Sequence, residues 1–145
     1  MQEYVIDIAD FYGCDLFVLN FGMNNGTTKP KTFQSITKQT LNKLIEAIPD
    51  VSVILMSSMV SNPYDVDSGK NQILFEEPLE ATAEGYTREG TPCALVKMAS
   101  MSDSILEHKT FNDYSANNVN HPNDFFMRVY AQTLLQALIG YDNMK

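Results

Sequence analysis

Leu16-Phe17-Val18-Leu19-Asn20-Phe21-Gly22-Met23-Asn24-Asn25-Gly26 is the stretch on which the fold of this chain turns. The first six residues are apolar except for Asn20 and carry no charge, a run of the length of a buried strand. Gly22 and then Asn25-Gly26 stop the run in a turn. Two further runs share its character: Val51-Ser52-Val53-Ile54-Leu55-Met56, rich in β-branched residues, and Ala94-Leu95-Val96-Lys97-Met98. Helical spacing fills the intervals. Phe33, Ile36, Leu41, Leu44, Ile45 and Ile48 fall on one helical face, with Thr32 as the expected N-cap and Pro49 as the stop. Asn62-Pro63 opens a polar loop that runs to about Lys70, and a helical stretch from Asn71 to Glu89 follows, with Pro78 removing a donor inside it. After the third strand, an Asn-rich loop spans Lys109 to Asn120. The last helix lines up Phe126, Val129, Tyr130, Leu134, Ala137, Leu138 and Tyr141, capped by Asn123 or Asp124.

Strand and helix alternate three times, the pattern of an α/β layer with a mostly parallel sheet in a single domain over residues 1–145. Sites in such sheets gather at the carboxyl ends of the strands. Attention therefore goes to Asn24 and Asn25, to Ser57 through Tyr64, and to Ser100 through Ser102.

Composition narrows the function classes. A net charge of −8 disfavours nucleic acid and anionic membranes as partners, because phosphates are repelled. No apolar run approaches the ~18 residues of a membrane span. No signal peptide is read at Met1, and the compartment stays open. Cys14 and Cys93 make no disulfide framework and are expected reduced and partly buried. His108 sits in a charged, solvated stretch, the two histidines lie far apart, and no carboxylate cluster has ligand spacing; no metal is expected. No Gly-rich phosphate loop is present, so no cofactor is expected either. Lys97 is expected at a strand end, its stem on apolar surface and its amine in water.

Two motifs carry chemistry. In Phe21-Gly22-Met23-Asn24-Asn25-Gly26 the asparagines and glycines are ordinary turn formers. An Asn amide in this place can also donate to an oxyanion, and such a donor lowers an acyl-transfer barrier by roughly 3 kcal/mol. In Asn117-Asn118-Val119-Asn120-His121-Pro122-Asn123-Asp124, Pro122 and Asn123 form a turn and His121 is a loop histidine just ahead of a helix. An imidazole there is also suited to take and return a proton for a serine nucleophile.

Together the two motifs resemble the third and fifth conserved blocks of the SGNH/GDSL-type hydrolase family, and the stretch from Cys14 to Tyr141 is similar to that family in order and spacing. The tail, Val119-Asn120-His121-Pro122-Asn123-Asp124-Phe125 followed by Arg128-Val129-Tyr130-Ala131-Gln132, is similar to bacterial GDSL-like esterases. The resemblance implies a three-layer, flavodoxin-like fold with a five-stranded parallel sheet, and hydrolysis of an acyl ester, including acetylated carbohydrate. It implies His121 as base, Asn24 as oxyanion-hole asparagine and Gly22 as its block glycine.

The chain departs from the pattern in three places. It has no Gly-Asp-Ser block for the nucleophile, nor the glycine block that follows it. The chain is thus expected to be the C-terminal portion of such a domain, inactive alone. The serines Ser57, Ser58, Ser61, Ser100 and Ser102 stand in other contexts. The usual Asp three residues before the histidine is Asn118; Asp113 stands as an alternative acid, or a Ser–His dyad operates. Asn25 stands where the block often has Asp. The family's first strand lies beside the strand that is Leu16 to Phe21 here. Without it that strand is an edge, apolar on both faces, through which the chain is expected to form a homo-oligomer. The competing expectation is a non-catalytic α/β module of a larger protein.

Overall fold

A computed structural model describes residues 12–65 and 71–140. Three strands form one parallel sheet in the order β1-β2-β3: β1 is Leu16–Asn20, β2 is Ser52–Met56 and β3 is Cys93–Val96. Four α-helices are described: α1 Pro30–Ala47, α2 Glu76–Arg88, α3 Met98–Leu106 and α4 Asp124–Ile139. The α/β class and the parallel sheet expected from the strand–helix alternation are the ones observed.

The sheet separates two apolar clusters. On one face Val53 and Leu55 of β2 meet Phe33, Leu41 and Leu44 of α1 and Leu79 and Ala83 of α2, with Phe17, Leu19 and Leu95 packed alongside. On the other face Ile54, Met56 and Val96 meet Met98 of α3 and Phe126 of α4, with Val129, Tyr130 and Leu134 alongside. β2 is buried on both faces, as the central strand of a parallel sheet must be. β1 is not. Phe17 and Leu19 pack inward, whereas Leu16 and Val18 are 42% and 41% exposed. The sequence shows apolar residues on both sides of this strand; among the described residues, apolar cluster packing covers one side only.

The helices differ from their sequence outlines in ways that have local causes. α1 starts at Pro30 rather than after Thr32, because proline suits the first helical position, where its missing N–H costs nothing. Pro78 falls in the first turn of α2 for the same reason harmlessly, and the preceding segment, Ile73–Phe75, tightens into a 3₁₀ turn. α3 has no counterpart in the sequence outline, which runs the third strand to Met98 and marks Ser100 through Ser102 after it; Met98, Ala99 and Ser102 are the buried face of the helix. α4 is capped as expected, the Asn123 side chain accepting from the N–H of Phe126. Of its apolar row Phe126 is buried and Ala137 and Leu138 are exposed, while Tyr141 lies outside the described residues. The polar loop after Asn62 is described to Asp65 only. Lys97 caps α3 just past β3, and its amine meets Glu80 at 2.6 Å. Cys14 and Cys93 are free and half-buried. Among the described residues no helix is long and apolar enough to cross a membrane.

Candidate functional site

The polypeptide leaves β1 through Phe21 and reverses at Gly22, which has φ +117°. That angle is one that L side chains rarely adopt. The space is closed as well: a Cβ at Gly22 would lie 3.0 Å from Cζ of Phe33 and 3.5 Å from Cδ2 of Phe75. Phe33 and Phe75 are stacked with ring centroids 4.1 Å apart, so neither ring has room to retreat. Glycine lets the turn sit directly on this aromatic pair. A 3₁₀ turn, Met23–Asn25, follows, closed by the Asn25 N–H donating to the Gly22 carbonyl. Asn25 directs its amide at the Thr28 hydroxyl. Asn24 is exposed, with no side-chain hydrogen bond to a described residue. The turn is held from below by the segment ahead of α2. Buried Gln72 donates to the Met23 carbonyl, and Asn71 donates to the carbonyls of Gly26 and Thr28.

The His121 loop is built on a row of aromatic rings. Phe111 and Tyr114 are 4.9 Å apart, Tyr114 and Phe126 are 4.9 Å apart, and Phe126 and Tyr130 are 5.4 Å apart. Tyr114 and Phe126 are fully buried and anchor the two ends of the loop. Met23 of the glycine turn packs against the same cluster. Between the anchors the backbone folds back on itself. Ser115 pairs with Pro122, Ala116 N–H donates to the His121 carbonyl, and Asn123 N–H donates to the Tyr114 carbonyl. The loop also binds the segment after β2: Asn62 donates its N–H to the Val119 carbonyl and its side-chain amide to the Asn118 carbonyl. Tyr130 Oη accepts from the N–H of Met59 and bonds the side chain of Asn20, the last residue of β1. The Gly22–Asn25 turn, the Ser57–Asn62 segment and the His121 loop thus meet at the carboxyl end of the sheet, where a parallel α/β fold places its ligands.

Within the loop, Asn117 controls His121. Its Oδ1 accepts from the N–H groups of Val119, Asn120 and His121, at 3.0, 2.9 and 2.9 Å. Its Nδ2 lies 3.2 Å from Oδ1 of Asn120 and 2.5 Å from Nδ1 of His121. Asn118 turns away with φ +55°, and its Oδ1 faces the Asn62 amide. Asp113 caps its own 3₁₀ turn: its Oδ2 accepts from both the N–H and the hydroxyl of Thr110. Those two bonds, and the nearby Lys109 ammonium, hold its carboxyl below the usual carboxylate range. Its carbonyl holds the Asn123 amide, so Asp113 shapes the loop through which His121 passes. The residue against the imidazole, Asn117, was not singled out by sequence reasoning. Its signal was an Asx-turn spacing, an Asn followed by residues whose N–H groups it can gather.

Three of the serines after the strands, Ser57, Ser100 and Ser102, are ties. Ser57 donates to Oε1 of Glu76 at 2.6 Å and accepts from the N–H of Ala99 at 3.0 Å. Ser100 donates to the same carboxylate through both its N–H and its hydroxyl. Ser102 accepts from the N–H of Val60. Ser57, Ser58, Ser61 and Ser102 are buried. The hydroxyl tied into the His121 loop is that of Ser115, which donates to the His121 carbonyl. Burial pushes the Cys93 thiol up to about 11, so at neutral pH it is not a thiolate nucleophile. Among the described residues no group of three or more His, Cys, Asp or Glu side chains is placed to hold a metal ion.

No family model and no curated protein matches the chain. A solved structure does: the crystal structure of a carbohydrate esterase family 3 from Talaromyces cellulolyticus, with a TM-score of 0.63 and 16% sequence identity. The match covers 93% of this chain and 62% of that chain. The chain therefore shares the α/β fold of that structure and spans a little under two thirds of its length.

Proposed function

We propose that this chain carries the histidine and asparagine side of an SGNH/GDSL-type ester hydrolase site, completed by a serine nucleophile outside these 145 residues. What supports this reading is that Asn24, exposed on the turn after β1, and His121, exposed on a loop hydrogen-bonded to the segment after β2, both lie on loops at the carboxyl end of the sheet. In that reading His121 exchanges a proton with the serine and with the leaving alcohol, and Asn24 donates to the oxygen of the tetrahedral intermediate. Gly22 lets the Asn24 turn sit directly on the Phe33–Phe75 ring pair. Asp113 acts on the shape of the loop rather than on the imidazole. The acyl ester class follows from this chemistry, and the likeness to a carbohydrate esterase supports an acylated carbohydrate as substrate.

The test begins with the codons that precede Met1. A Gly-Asp-Ser block there, and acetyl-ester hydrolysis by the extended chain but not by the 145-residue chain, is the expected result. In the extended chain His121→Ala is expected to lower kcat by roughly 10³-fold or more, and Asn24→Ala by roughly 10²-fold. Unchanged rates in both variants would remove these residues from the site. A second reading, a non-catalytic α/β module, is favoured by one observation: an amide, not a carboxylate, meets Nδ1 of His121. It predicts no nucleophile block upstream and no hydrolysis by the extended chain.

A further inference from the structure

The hydrogen bonds around Asn117 fix which ring nitrogen of His121 carries the proton. The Asn117 oxygen is identified by its three donors, the N–H groups of Val119, Asn120 and His121. Exchanging the amide's oxygen and nitrogen would set an NH₂ against three N–H groups, each left without an acceptor. The NH₂ group therefore faces Asn120 and His121, and its two hydrogens have two acceptors, Oδ1 of Asn120 and Nδ1 of His121. A ring nitrogen that accepts a hydrogen bond is unprotonated. The single N–H of the neutral imidazole is then on Nε2, the nitrogen that no described residue meets.

We propose that Asn117 is the positioning residue of His121 and holds its neutral ring in the Nε2–H form, so that the resting site meets a ligand oxygen as a hydrogen-bond donor. This rests on the proposed function only in naming the ligand oxygen as that of an acyl ester or its alcohol. The consequence for catalysis is specific. A serine hydroxyl can be deprotonated only by a ring nitrogen with a free lone pair, and in this form Nε2 has none. The base step must follow a proton exchange that breaks the Asn117–His121 bond. A carboxylate in place of the Asn117 amide would accept from Nδ1–H, leave Nε2 unprotonated and remove that requirement. When the third member of a serine triad is an amide instead of a carboxylate, the wrong tautomer lowers kcat by about 10⁴-fold; here the geometry predicts a gain from the reverse change.

The experiment is nitrogen NMR on the ¹⁵N-labelled 145-residue chain above the pH at which histidine is neutral, with His108→Gln identifying the signals of His121. Expected are a pyridine-type Nδ1, a pyrrole-type Nε2, and a scalar coupling across the hydrogen bond between Nδ2 of Asn117 and Nδ1 of His121. Asn117→Asp keeps the oxygen that gathers the three backbone N–H groups and should therefore keep the fold. It should move the ring proton to Nδ1 and abolish the coupling. A pyrrole-type Nδ1 in the wild type, an averaged mixture of forms, or an unchanged ring in Asn117→Asp would each overturn the proposal. In the extended chain Asn117→Asp should raise kcat at least about tenfold with little change in KM; a fall in kcat would count against it. The NMR result stands or falls without activity, whereas loss of the His121→Ala effect would remove the hydrolase reading alone.

Discussion

Gly22 shows how tightly a single position is held at this site. Two constraints meet there, a φ of +117° and a ring carbon 3.0 Å from where a Cβ would be. Backbone in such a region costs a side-chain-bearing residue roughly 1–3 kcal/mol, and relief would require separating the stacked Phe33 and Phe75. Gly22→Ala is expected to lower the unfolding free energy by about 2–4 kcal/mol, the strain and the overpacking taken together. A shift of the urea midpoint at unchanged slope would report it, and a variant within about 0.5 kcal/mol of wild type would show that the turn has another conformation available. At this scale the sequence was partly legible. Glycine after an apolar run and histidine before a helix could be seen because residue type and spacing alone mark them. The partner of His121 could not, because Asn117, Asn118 and Asp113 all lie on the same loop ahead of it. Only the course of the loop, with Asn118 turned toward Asn62, decides among them.

Elements were legible where one residue's neighbours along the chain decide its state, and illegible where distant ones do. β2 and α4 stood out by composition and capping. α3 did not, because Met98 reads as the end of the third strand's apolar run and the rest of its buried face, Ala99 and Ser102, is too small and too polar to mark a helix. What holds it is Glu76, at the start of α2, whose carboxylate accepts from the Ser100 N–H, the Ser100 hydroxyl and the Ser57 hydroxyl. One buried side chain thereby joins the end of β2, the first turn of α2 and the first turn of α3. The helix N-termini add their own attraction for a negative group. Glu76→Ala would leave three donors without this acceptor. The expected loss is about 2–4 kcal/mol, since a lost acceptor for buried donors costs about 1–3 kcal/mol and charged acceptors lie at the upper end. Glu76→Gln keeps one acceptor oxygen and should lose about half as much. Chemical denaturation of the two variants checks the order; equal losses would mean that volume, not hydrogen bonding, sets the cost.

At the scale of the whole molecule the unusual feature is β1. Among the described residues it pairs only with β2, through Leu16–Ser52 to Asn20–Met56, and its other edge has no strand beside it. Edge strands in soluble proteins usually carry a charge, a proline or a bulge that prevents pairing with another chain. Leu16-Phe17-Val18-Leu19-Asn20 has none of these. Its outer face adds apolar surface, since Leu16 and Val18 are about two-fifths exposed. Leu135, Leu138 and Ile139 of α4 are exposed too. Fully burying one such side chain is worth roughly 1.5–3 kcal/mol, so two already half-buried residues contribute about half of that each; backbone pairing along the strand adds to it. Against this stands the net charge of −8, which repels a second copy and weakens with salt. The expectation is association that grows with concentration and with ionic strength, because screening removes the repulsion and leaves the apolar term. Val18→Lys puts a charge on the exposed face of the strand without entering the core. It should return the protein to a monomer with an unchanged unfolding midpoint at low concentration. Sedimentation velocity across a hundredfold range of protein concentration, at low and high salt, reads both effects. A wild-type chain that stays monomeric throughout, or a Val18→Lys variant that associates as strongly, would show that the β1 edge is not the contact.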